Sequence, residues 1–145
     1  MKPLDLRSRP PRPPRDTLLG VYFLPRTIDK LRAELPGGHL GAYLNHETGF
    51  SAYVVRRLGL NMNELRETVA TAADEGAIVE WLRARINPDT VAELNAKLET
   101  FVAERMSAAD QALLRERHPV LATRPKLSKI LDILEADDRV AFPEL

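Results

Sequence analysis

Residues 87–102, NPDTVAELNAKLETFV, carry the longest amphipathic stripe in the chain. Asn87 can cap the first helical N–H groups, and Pro88 has the fixed φ that suits a first turn. Behind them Val91, Leu94, Leu98, Phe101 and Val102 recur at helical spacing, which predicts a helix with one apolar face as the backbone of the core. Upstream, Asp74 opens a helix with Ile78, Leu82 and Ile86 inward, widened by Val79 or Trp81. Asn61 and Glu64 have the spacing of a capping-box variant ahead of Met62, Leu65 and Val69. Phe50, Tyr53, Val54 and Leu58 repeat the period before Gly59. Leu24, Ile28, Leu31 and Leu35 do so between Pro25 and the stop formed by Pro36, Gly37 and Gly38. Downstream, Ser107 with Asp110 starts a helix that His118 and Pro119 end. A last helix begins near Pro125 and presents Leu127, Ile130, Leu131 and Leu134 before Asp137 and Asp138. Strand-like alternation is confined to an ambiguous stretch at residues 20–24. The predicted class is therefore all-α: an irregular bundle of about six or seven short helices. Residues 17–145 form one domain in this reading, and residues 1–16 an extended proline- and arginine-rich arm packed on it.

With 44% apolar and 29% charged residues, the composition is that of an ordinary globular protein. Cysteine is absent, which excludes disulfides, thiolate nucleophiles and cysteine-ligated zinc or iron–sulfur centres. No apolar run approaches the length of a membrane span, and no signal-peptide core is present, so a cytoplasmic protein without a membrane partner is expected. Phosphate-loop, dinucleotide and nucleophile-elbow motifs are missing, and no cofactor is implied. Ser51 follows Gly49 but lacks the second glycine of an elbow.

Residues 9–15 read RPPRPPR, a period of three that matches the polyproline II helix and would place Arg9, Arg12 and Arg15 in one row about 9 Å apart. The first 15 residues carry a net charge of plus four, so the other 130 sum to minus four. Residues 60–104 hold nine carboxylates and four basic side chains, enough to receive the arm within the same molecule. The proline content lowers the entropy lost on docking. Nucleic-acid binding through the arm is disfavoured by the acidic body and by the lack of a basic stripe with interleaved aromatics. The pattern R-x-x-P-x-x-P from Arg7 to Pro13 is read as incidental.

The opening DLRSRPPRPPRDTLLGVYFLPRTIDKLRAEL resembles domain-of-unknown-function family 5069, whose members begin D-L-R-x-x-P-P-R-x-P-R and continue to L-P-R-x-I-D-K. The resemblance covers Asp5 to about Leu35, and GLNMNELRETVATAADEGAIVEWL is similar to the next helical stretch of that family. It implies a small bacterial all-helical protein with no assigned activity. The loop GGHLGAYLNHETGFS departs from the pattern, with Ala42 where the family has an acidic residue. Beyond Ile86 no match is evident.

Two groups of side chains stand out as candidates. On a helix starting at Pro25, Arg26, Asp29 and Lys30 share one exposed face, either as surface ion pairs or, joined by Arg12 and Arg15, as a basic cleft for an anion. Asp29 would orient those cations. Tyr43, His46 and Glu47 sit in the glycine-bounded loop and supply the elements of an acid–base site, although no second histidine at helical spacing makes them a metal motif. His39 reads as a loop residue and His118 as a helix-terminal one. The expected function is non-catalytic recognition of an anionic small molecule or an acidic protein partner through Arg12, Arg15, Arg26 and Lys30. A small enzyme built on Tyr43, His46 and Glu47 is the alternative, and weak nucleic-acid binding the third reading.

Overall fold

Leu24, Ile28 and Leu31, of the apolar row of the first predicted helix, are at most 1% exposed, while Leu35 lies past the helix end and is half-buried; the helix is the most deeply buried in the chain. The computed structural model describes residues 1–145. The chain divides into two compact units, Met1–Leu94 and Asn95–Leu145. In the first, β1 (Thr17–Leu18) and β2 (Val21–Tyr22) form a two-stranded antiparallel hairpin. Four helices follow: α1 (Leu24–Ala33), α2 (Phe50–Arg57), α3 (Met62–Thr71) and α4 (Glu75–Arg83). Helix α1 packs against α2, α3 and β1, with α3 also touching α2 and α4. The chain is predominantly helical, as predicted, but the 20–24 ambiguity resolves as a hairpin. Leu19 and Gly20 at its tip both have positive φ, 52° and 77°, the geometry that matches the twist of two short antiparallel strands.

Side-chain caps open α3 and α4. The Asn61 side chain accepts from the N–H groups of Asn63 and Glu64, and Asp74 accepts from Ala77. Gly59 takes φ 72° just past α2, as a C-terminal glycine should. In α2 the buried positions are Ser51, Ala52, Val54 and Val55. Of the predicted row, Val54 and Leu58 are buried, while Phe50 and Tyr53 are half-buried at the edge of that face.

Helix α5 (Val91–Glu99) spans the boundary between the units. Leu94 and Leu98 are 2% and 0% exposed, yet they belong to different units. The buried residues of the stripe read from residues 87–102 are thus divided between the two units. It also ends early: Thr100 closes a tight last turn on the Lys97 carbonyl, and Phe101 and Val102 run extended. There the Ile130 N–H donates to the Phe101 carbonyl, and Val102 pairs with Lys129 in an antiparallel bridge. Aromatic and β-branched residues suit that pairing better than a further helical turn.

The second unit holds α6 (Ala108–Arg117), α7 (Val120–Thr123) and α8 (Ile130–Ala141), with α7 packed on α8. The count is eight α-helices, not six or seven, because Pro119 opens the four-residue α7 inside what reads as a link. Val120 and Leu121 are its buried pair. Helix α8 begins at Ile130, not near Pro125, because residues 128–129 are extended against residues 101–103.

Candidate functional site

The arm is built into the first unit by main-chain bonds. Leu4 donates to the Arg32 carbonyl, Leu6 to His39, His39 back to Leu4, and Phe23 to Pro14. A turn closed by the Asp16 N–H on the Pro13 carbonyl interrupts any continuous polyproline rod. The period of three survives in burial: Pro11 and Pro14 are buried, Arg12 and Arg15 half-buried, and Arg9 exposed.

Arg12 is the strongest fastening. Its main-chain N–H donates to Asp29 Oδ2 at 2.8 Å, and its Nε and Nη2 reach the same carboxylate at 3.0–3.2 Å. The guanidinium also forks onto Glu75, with Nη2 to Oε1 at 2.6 Å and Nη1 to Oε2 at 3.1 Å. Partial burial alone would lower the Arg12 pKa, but the hydrogen bonds to Glu75 and Asp29 outweigh it and the net shift is upward. Two carboxylates therefore engage this cation directly.

The face of α1 expected to be exposed is buried: Arg26 is 2%, Asp29 1% and Lys30 9% exposed. Arm and helix meet there, since Arg26 Nη1 donates to the Arg12 carbonyl at 3.2 Å. The Arg26 guanidinium carbon lies 5.4 Å from the centre of the Tyr43 ring and 5.8 Å from that of Phe23, and Lys30 Nζ lies 5.5 Å from Phe23. Such cation–ring contacts stabilise charges that have lost water. Phe23 is held at φ 70°, a left-handed conformation that costs a non-glycine residue about 1–2 kcal/mol. Its ring meets Phe50 edge-on at 5.7 Å. Thr27 on α1 donates to the Phe23 carbonyl and shares a 3.0 Å hydrogen bond with the buried Ser51 hydroxyl.

A groove of about 470 Å³ lies between the 45–47 loop, α2 and the start of α3. Ala52, Val55, Leu60 and Met62 give it an apolar floor, and Asn45, His46, Glu47, Arg56, Asn61, Asn63 and Arg66 complete the lining. Local turns fix the polar groups. The Gly49 N–H donates to the His46 carbonyl at 3.0 Å, and a side chain at Gly49 would bring its Cβ within 3.3 Å of that oxygen. His46 Nδ1 is hydrogen-bonded to the Thr48 hydroxyl at 2.8 Å, which leaves Nε2 for other partners. Glu34 joins the two walls, accepting from Asn45 Nδ2 at 2.9 Å and from Arg66 Nε at 3.1 Å. Arg66 Nη1 donates to Asn63 Oδ1 and Arg56 Nη1 to the Glu47 carbonyl, each at 2.9 Å. Arg66 Nη2, Arg56 Nη2 and the amide nitrogens of Asn61 and Asn63 have no partner within the chain. A second concavity, of about 380 Å³, is lined by the five consecutive residues of the 123–127 turn and has no facing wall.

Residues 8–140 match the family described as Domain of unknown function (DUF5069). The chain belongs to that family. The match runs well past Ile86, the limit of the resemblance in the motifs, and starts inside the arm, after the D-L-R that opens it. No curated protein matches the chain.

Within this DUF5069 member, the structure brings Arg12, Arg26 and Lys30 to one place with Asp29. Arg15 is half-buried and engaged. It also brings His46 and Glu47 to one groove, whereas Tyr43 stands apart against Arg26. His39 pairs with Asp5 in a parallel bridge and accepts the Gly41 N–H on Nδ1. His118 closes α6 and binds Asp137 of α8 at 3.0 Å. Arg56 and Arg66 escaped the sequence reading, although Arg56 in the last turn of a helix after a histidine-bearing loop was a signal available there. No helix is long and apolar enough to cross a membrane.

Proposed function

We propose that this protein is a non-catalytic binding domain for a small anion, and that Arg56 and Arg66 in the α2–α3 groove make the recognition. The observation that carries the reading is the donor surplus: the Nη2 groups of Arg56 and Arg66 and the two amide nitrogens of Asn61 and Asn63 face a groove whose one lining carboxylate is that of Glu47. Guanidinium forks match carboxylate and phosphate geometry, and a few convergent polar groups around an apolar floor are the usual make-up of a small-molecule site. The arm acts as framework in this reading. Arg12 spends its charge on Asp29 and Glu75, and Arg26 and Lys30 are buried against aromatic rings, so α1 and the arm support the groove's walls instead of contacting the ligand. The same neutralisation weakens the case for a nucleic-acid backbone lying along the arm, and for an acidic protein partner docking there.

The enzyme reading keeps one favourable fact, that His46 and Glu47 line the same groove. A thermal-shift panel of acetate, benzoate and phosphate at 150 mM salt tests the proposal. Parent protein is stabilised by at least one of these anions, and Arg56→Gln weakens its binding by roughly tenfold or more, the value of one charge-assisted hydrogen bond. No stabilisation by any of them, or an unchanged affinity in both Arg56→Gln and Arg66→Gln, overturns the reading. Turnover of a bound ester or phosphate ester that is abolished in His46→Gln would favour the enzyme.

A further inference from the structure

The charges left open in the groove are balanced, not simply positive. Arg66 is offset by Glu34, which contacts its Nε at 3.1 Å. What stays open is one full cation, Arg56, and one full anion, Glu47. These two are neighbours, since Arg56 Nη1 donates to the Glu47 main-chain carbonyl at 2.9 Å, and yet the Glu47 carboxylate forms no ion pair with it. Opposite charges held side by side by the backbone, and not neutralising each other, suit a ligand that carries both signs itself. Beneath them lie Ala52, Val55, Leu60 and Met62, a floor with no polar side chain.

We propose that the ligand is a zwitterionic amino acid with an aliphatic side chain. Its carboxylate binds Arg56 together with the free Nη2 of Arg66, its ammonium group binds Glu47, and its side chain covers the apolar floor. The idea rests on the anion-binding reading and narrows it to one chemical class. A groove of about 470 Å³ lies within the lower range of small-molecule sites. A second carboxylate on the ligand would meet Glu47, and a purely cationic ligand would meet Arg56. Specificity thus comes from repulsion as well as attraction.

The test compares three probes that differ by one group each: L-leucine, 4-methylpentanoate, which lacks the ammonium, and 3-methylbutylamine, which lacks the carboxylate. Binding is followed by amide chemical shifts of the full chain at pH 7 and 150 mM salt. Leucine is expected to bind at least tenfold more tightly than 4-methylpentanoate and the amine more weakly than either. In Glu47→Gln the gap between leucine and 4-methylpentanoate closes, with the affinity for 4-methylpentanoate unchanged or improved. Glu47 is exposed, so this replacement leaves the fold intact. Equal binding of leucine and 4-methylpentanoate by the parent protein overturns the zwitterion inference while leaving the anion reading in place, as does a Glu47→Gln variant that weakens both alike. Failure of all three probes to shift the groove's amides overturns the inference, and with acetate, benzoate and phosphate also silent the anion reading falls too.

Discussion

Replacing Arg12 with alanine takes a guanidinium away from Asp29, whose side chain is 2% exposed, and from Glu75, which is 33% exposed. Removing one partner of a buried pair leaves the other charge uncompensated and costs about 3–5 kcal/mol. Asp29 retains the residue-12 main-chain N–H at 2.8 Å, so the low end, about 3 kcal/mol, applies. The Glu75 contact is partly screened by water and adds less than about 1 kcal/mol. At this chain length each kcal/mol moves Tm by roughly 3 °C, so the Tm of the chain should fall by about 10 °C. Calorimetry together with urea unfolding reads the loss directly. Double-mutant cycles with Asp29→Asn and Glu75→Gln then apportion it, with the larger coupling expected at Asp29. Arg12→Lys restores the charge without the planar fork and should recover less than half. A loss under about 1 kcal/mol in Arg12→Ala, or a larger coupling to Glu75 than to Asp29, would refute the reasoning.

Gly41 and Gly59 both have positive φ, 63° and 72°, so alanine at either should cost about 1 kcal/mol. A Cβ at Gly41 meets the Leu6 carbonyl at 2.9 Å while one at Gly59 meets nothing, so urea titration should show Gly41→Ala worse by a further 1–3 kcal/mol or so. Phe23→Ala empties the space under Arg26 and Lys30 while retaining the left-handed backbone, and should lower stability by about 3 kcal/mol in the same assay. The Arg7 guanidinium, hydrogen-bonded to Asp5 at 2.7 and 2.9 Å, holds that carboxyl well below its usual range. A depressed carboxyl pKa contributes stability above the unfolded value of 3.8, lost as pH falls through the folded one. The stability difference between parent and Arg7→Gln should therefore be constant from pH 5 to 8 and shrink below about pH 4 in calorimetric scans.

Local chemistry was legible where one residue decides it. Asn61, Asp74 and Ser107 cap the helices that their side chains announce, because an N-terminal hydrogen bond depends on neighbours two or three positions away. The pairing of residues 101–103 with 128–130 was not legible, since it depends on a partner more than 25 positions distant, and it shortens α5 and delays α8. Burial of the Arg26, Asp29 and Lys30 face was hidden for a related reason: helical spacing finds the apolar side of α1, but only the folded arm covers its polar side. The acidic stretch at residues 60–104 did point to a receiver for the arm, and Glu75 is one of its carboxylates. Of the groove, His46 and Glu47 were visible as an unusual loop pair. Arg56 and Arg66 were not, because each reads as a helix-surface cation until α2, α3 and Glu34 bring the two together.

The central claim, that anion recognition belongs to the α2–α3 groove and architecture to the arm, is tested most directly by mapping amide shifts during titration with acetate or benzoate at 150 mM salt. Perturbations confined to residues 45–47, 56 and 61–66, and lost in Arg56→Gln, are the predicted result. Perturbations centred on Arg12, Arg15, Arg26 and Lys30, with the groove silent, would contradict it.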